Sequence, residues 1–276
     1  MYKLLLLAVL TISGKAFADN MDAISSCYNK KIESPKTIIN TELFLAIDQT
    51  TVFNNSLKQS IANNVRLFLK PNHTFSVTQF SAFTQGHYTD VLVSGKLESN
   101  ISEDLRDDIS KPLLSKFDQC ISMQSKLSMK LVGNAMKSAF GDSSTTLTNS
   151  DILASLKDIS TKVRQSKADT KVVFIASDML EHSSLTSFYS NQAVRLIDPV
   201  KELKMATDKE MIADFGGAKV YVLGAGLLIE DAKQLKGVYR SPQTMQALHK
   251  FWRDWFKSSN AELIEFGQPA LLSPIL

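Results

Sequence analysis

Thr41-Glu42-Leu43-Phe44-Leu45-Ala46-Ile47-Asp48 is an apolar run that ends in a carboxylate. A strand of a one-sided sheet alternates polar and apolar residues. This one is apolar on both faces, as a strand covered by helices above and below must be. A second run of the same kind, Lys171–Ala176 (KVVFIA), ends at Ser177-Asp178, and a third, Lys219–Leu223 (KVYVL), ends at Gly224-Ala225-Gly226. Helical spacing lies between them. Ser56–Lys70 repeats Leu57, Ile61, Val65 and Leu69 before Pro71, and Ser150–Arg164 places Ile152, Leu153, Leu156 and Ile159 on one side. Pro199–Phe215 reads as a helix closed by Gly216-Gly217, and Ser241-Pro242 opens another that runs to about Ser259. Thr74–Ala82, Thr89–Leu97 and Ala261–Phe266 read as further strands. The pattern is an α/β protein with an open, mostly parallel, doubly wound sheet flanked by helices.

Two stretches stand apart. Residues 102–140 are helical by spacing, with Pro112 between two helices. Leu113, Phe117, Ile121, Leu127 and Leu131 read as a core-facing stripe, and Met123, Met129 and Met136 lie nearby. Residues 19–40 form a polar N-terminal extension with a short helix expected around Ala23–Tyr28. No linker rich in Pro, Gly or Ser divides residues 41–276, which read as one domain. In Leu248, Trp252, Trp255 and Phe256 the spacing predicts one side of a helix packed on the sheet rather than an aromatic binding surface.

Residues 1–18 (MYKLLLLAVLTISGKAFA) have the layout of a secretory signal peptide. Lys3 precedes an apolar run from Leu4 to Ile12, and Ala16-Phe17-Ala18 supplies small residues before a cut at Asp19. The run is too short to span a bilayer; an uncleaved anchor is the alternative. The residue directly after the cut is Asp19 rather than cysteine, against a lipoprotein, and the style of the signal favours a periplasmic or secreted protein. The chain has 276 residues, 31 Lys+Arg against 28 Asp+Glu; without Lys3 and Lys15 the balance is 29 against 28, or +1. That is no electrostatic footprint for nucleic acid or an anionic membrane, and no later run of apolar residues suggests stable membrane insertion. The partner expected is a protein. Cys27 and Cys120 are an even pair in an oxidising compartment, a candidate disulfide across 94 residues (27 through 120); two buried thiols are the alternative.

In open parallel sheets ligands bind beyond the carboxyl ends of the strands. Here those ends carry Asp48-Gln49-Thr50-Thr51 and Ser177-Asp178, and the loop Ser143-Ser144-Thr145-Thr146 runs into the helix at Ser150. Two carboxylates and several hydroxyls make an all-oxygen site, suited to Mg²⁺, Mn²⁺ or Ca²⁺ rather than zinc. Taken in order, LFLAIDQTTVF, SLKQSIANNVRLFL, TFSVTQFSA, SSTTLTNSDILASL and KVVFIASDML resemble a von Willebrand factor A domain over most of residues 41–270. The resemblance implies a metal-ion-dependent adhesion site built on Asp-x-Ser-x-Ser, a loop Thr and a distant Asp. Asp48 matches the first Asp, Thr50 the first Ser, Thr145 or Thr146 the loop Thr, and Asp178 the last Asp. Val52 stands at the second Ser and removes one hydroxyl; Thr51 and Asn54 are the nearby candidates to replace it. Proteins of this kind resemble adhesion or assembly factors, in which a partner's carboxylate completes the metal's shell. Glu181 and His182 read as solvated loop residues.

The alternative is an enzyme. Asp48-x-Thr50-x-Val52 also resembles the start of haloacid-dehalogenase phosphatases, Asp-x-Asp-x-Thr/Val, where the first Asp is the nucleophile and the second a general acid. Thr50 occupies the place of the acid, and Lys219 and Asp231 do not complete the pattern. The chain contains no G-x-S-x-G, H-E-x-x-H or P-loop motif, and His73, His87, His182 and His249 lack metal-ligand spacing.

Overall fold

The computed structural model describes residues 23–33, 39–84, 87–141, 150–190, 193–228 and 240–275. The signal segment 1–18 and the loop that carries Thr145 and Thr146 lie outside them.

Six strands form one sheet: β1 (Thr41–Asp48), β2 (His73–Thr84), β3 (His87–Lys96), β4 (Thr170–Ala176), β7 (Ala218–Leu223) and β8 (Ala261–Phe266). Their spatial order is β3-β2-β1-β4-β7-β8. Every neighbouring pair is parallel except β2 with β3. This is the open, doubly wound α/β sheet that the strand pattern predicts. A second sheet is only the pair β5 (Tyr189–Ser190) and β6 (Ala193–Val194).

The two-faced apolar runs do what their composition requires. Leu43, Leu45 and Ile47 of β1, with Val172, Phe174 and Ala176 of β4, pack on one face against α1 (Asn55–Arg66) and α3 (Lys111–Gly141). Phe44 and Ala46, with Val173, Ile175, Val220 and Val222, pack on the other against α4 (Ile152–Gln165) and α6 (Pro242–Ser258). Leu248, Phe251, Trp252, Trp255 and Phe256 of α6 are all buried, so the aromatic stripe is core.

The structure corrects four local expectations. The helix from Pro199 is α5 (Pro199–Asp208), not a helix to Phe215. It ends because Glu210 takes a left-handed conformation (φ 57°) and the Met211 N–H closes back on the Ala206 carbonyl at 2.7 Å, a C-terminal cap made without glycine. No helix forms at 23–28; there the Glu98 carboxylate takes the Ser26 hydroxyl (2.5 Å) and the Cys27 N–H (2.7 Å), the second of which a helix would have bonded internally. In the central region α2 (Glu103–Arg106) is one turn only, and Pro112 lies in the first turn of α3, where its missing N–H costs nothing. Leu127 is exposed rather than part of the stripe, which continues through Phe117, Ile121, Val132, Ala135 and Met136.

Cys27 and Cys120 form a disulfide, with Cα atoms 5.7 Å apart. It joins the N-terminal segment to α3 over a small separate core of Ile32, Ile101, Phe117 and Ile121.

Candidate functional site

The strand order reverses between β1 and β4, which are neighbours although β2 and β3 lie between them in the chain. At such a switch point the loops leave in opposite directions and open a crevice. Asp48 is the last residue of β1, and Ser177-Asp178 follow β4 directly. Sequence position and topology therefore bring the two predicted carboxylates together.

Asp48 is fully buried and holds four donors. Its Oδ1 accepts the Thr50 N–H (2.8 Å) and the Thr50 hydroxyl (2.6 Å). Its Oδ2 accepts the hydroxyls of Ser177 (2.6 Å) and Thr51 (3.2 Å). Burial pushes its pKa up, and these bonds to the ionised form oppose the rise. Asp178, 4% exposed, accepts the Leu180 N–H on Oδ1 (2.8 Å) and the Tyr189 hydroxyl on Oδ2 (2.6 Å). Burial, with the Asp48 charge second, pushes it up to about 8. Thr51 ties the Asp48 carboxylate to the backbone of Asp178: its hydroxyl accepts the Asp178 N–H at 3.0 Å while donating to Asp48.

The loop hydroxyl expected from Thr145 or Thr146 falls outside the described residues. Among those described, Ser150 reaches the site: its Oγ lies 3.1 Å from the Thr50 Oγ1 and is buried. Ser150, Ser177 and Tyr189 are absent from the ligand set read from sequence. Ser177 was legible as the residue before Asp178; Ser150 was legible as the start of a helix, but nothing local placed it beside Thr50, and Tyr189 has no signal at all. Asn54 is not a substitute ligand, because its side chain caps α1 through the Leu57 N–H (2.9 Å).

Glu181 is the clear correction. It is not solvated but fully buried, with Oε2 accepting the Leu153 N–H (2.9 Å) at the start of α4. Burial pushes it up to about 8 from an ordinary 4.5, against the opposing bonds from Ser183 and Leu153. The folded chain therefore keeps a proton that the unfolded chain releases. Stability from this group is complete below pH 4.5 and is lost as pH rises through about 8. In chelator, the melting temperature of the wild type is expected to fall relative to Glu181→Gln as pH rises across that window; a constant difference would contradict the assignment. His182, half-buried, pairs through Nδ1 with the Ser187 hydroxyl at 2.9 Å.

The resemblance implies a divalent cation here, and the donor set can be tested for it. All donors are oxygen, as hard cations require. Ser177 and Thr51 each give one lone pair to a backbone N–H, of Met179 (2.9 Å) and Asp178 (3.0 Å) respectively. Thr50 points its proton at Asp48, which leaves lone pairs on Thr50 Oγ1 beside Ser150 Oγ. Adjacent ligands of octahedral Mg²⁺, each about 2.1 Å from the ion, lie about 3 Å apart. The Thr50–Ser150 separation of 3.1 Å, an ordinary hydrogen-bond length, is also compatible with that spacing. Val52, half-buried, contributes no oxygen. Thr50 and Ser150 could hold a cation directly, with Asp48 behind Thr50 and the rest of the shell from water or a partner; Asp178, whose two oxygens are bonded to the Leu180 N–H and the Tyr189 hydroxyl, could join only by giving up one of those bonds. The residues do not suit the phosphatase alternative, since both Asp48 oxygens are buried and bonded on all sides, a poor starting point for a nucleophile.

No protein-family model and no curated protein matches the chain. Among solved structures it is similar to an aerotolerance-related membrane protein from Bacteroides fragilis, at 12% identity over 83% of this chain and 92% of that one, with a TM-score of 0.35. It is also similar to the PilB minor pilin from Streptococcus sanguinis, at 12% identity over 81% of this chain and 62% of that one, with a TM-score of 0.31. No helix among the described residues is long and apolar enough to cross a membrane.

Proposed function

We propose that this chain is a von Willebrand A-like protein-binding module of the periplasm or the secreted fraction, without catalytic activity of its own. It captures a protein partner through a divalent cation, Mg²⁺, Mn²⁺ or Ca²⁺, at the carboxyl ends of β1 and β4. The supporting observation is the pairing of Asp48 and Asp178, two buried carboxylates at adjacent strand ends, beside the Thr50 and Ser150 hydroxyls. A cation would balance the charge of the two buried carboxylates. It would also present an open coordination position to a partner's carboxylate. The disulfide and the expected cleavage after Ala18 support an oxidising compartment.

The test is a calorimetric titration of residues 19–276 with each of the three ions, beside Asp48→Ala. Saturable one-site binding is expected in the wild type and none in the variant, whose fold is checked by circular dichroism. Equal heats in the two proteins would remove the cation from the reading.

A further inference from the structure

We propose that Tyr189 is a latch on this cation site, its phenol holding the Asp178 oxygen that the ion or an ion-bound water would use. The inference rests on the cation reading above. The Tyr189 hydroxyl donates to Asp178 Oδ2 at 2.6 Å, the length of a charge-assisted bond. The other Asp178 oxygen already accepts the Leu180 N–H at 2.8 Å, so the phenol and that N–H between them engage both oxygens of the carboxylate. A phenol and a cation compete for the same electron pairs; satisfying Asp178 internally is what allows this carboxylate to be buried without an ion.

The latch is braced away from the site. The Tyr189 N–H is bound by the Ser187 hydroxyl (3.1 Å), which also pairs with His182 Nδ1 (2.9 Å), and the His182 ring stands edge-on to Tyr189 at 5.8 Å. Arg195 donates through Nε to the Ser187 carbonyl (2.7 Å) and through a terminal nitrogen to Glu202 at the start of α5 (2.6 Å). Thr186 donates to the same Glu202 (2.9 Å). Asp178 is thus coupled through Tyr189, Ser187 and Arg195 to Glu202, and the chain of bonds reaches solvent at Arg195, whose side chain is 36% exposed against 12% for Glu202. A partner that pulls on this loop would free the carboxylate and raise the affinity for the ion.

Mn²⁺ titrations of the wild type, Tyr189→Phe and Arg195→Ala, each with its melting temperature in chelator, test the proposal. Tyr189→Phe keeps the ring and removes only the donor. It is expected to bind Mn²⁺ about tenfold more tightly, the worth of one hydrogen bond to a charged group, and to melt lower without the ion. Arg195→Ala is expected to shift affinity in the same direction by less. Equal or weaker binding by Tyr189→Phe, with the wild type still binding, would overturn the latch and leave the cation site standing. No binding by any of the three would overturn both.

Discussion

Replacing Cys27 and Cys120 together by serine is expected to destabilise the protein by about 4–5 kcal/mol, the loop-entropy value for a 94-residue closure. The disulfide is the covalent tie between the N-terminal segment and α3, and the core beneath it is small. Once the bond is gone, the segment is held by the small core of Ile32, Ile101, Phe117 and Ile121, by Ile24 in the larger core, and by the hydrogen bonds of Glu98, Gln124 and Tyr28. Urea unfolding of oxidised and double-serine proteins measures the difference. A loss below about 1 kcal/mol would mean that the denatured chain is already compact in this region. Cation binding is expected to survive the substitution, because the disulfide's core shares no residue with the strand ends.

Trp252→Ala is expected to cost about 3–5 kcal/mol and, unlike the disulfide variant, to abolish cation binding. Trp252 is fully buried, with Phe188, Phe251, Trp255 and Phe256 around its ring. Its indole N–H donates to the Met179 carbonyl at 2.9 Å. Met179 follows Asp178 and sits at φ 58°, an unfavourable conformation for a non-glycine residue, so this bond helps to fix the turn that aims the Asp178 carboxylate. Trp252→Phe separates the two roles. It retains most of the buried area and loses the bond, so it is expected to cost about 1–3 kcal/mol while weakening Mn²⁺ binding. Unfolding curves and Mn²⁺ titrations of both variants check this. Full cation affinity in a folded Trp252→Phe would show that the turn holds without α6.

The sheet was legible because β1, β4 and β7 are apolar on both faces, a pattern that only a central, covered strand requires. The carboxylates were legible because strand ends can be read from where those runs stop. What closes the site was not. Ser150 enters through a bridge to His182, whose backbone groups exchange hydrogen bonds with it at 2.9 and 2.8 Å, a long-range pairing with no local signature. Tyr189 lies on a two-residue strand, too short for any periodicity. Glu181 misleads for a physical reason: a carboxylate in a serine-rich stretch reads as solvated, whereas here it serves the buried start of α4. The end of α5 escaped notice because Ile212 and Phe215 keep an apolar rhythm after the helix has stopped, the first partly and the second fully buried in the same core.

The most direct measurement is Mn²⁺ binding by the wild type beside Thr50→Val, which removes one hydroxyl at nearly constant volume and no charge. The account predicts a single site in the wild type, weakened at least about tenfold in Thr50→Val, the scale of one lost charge-assisted contact. Identical binding curves for the two proteins would contradict it.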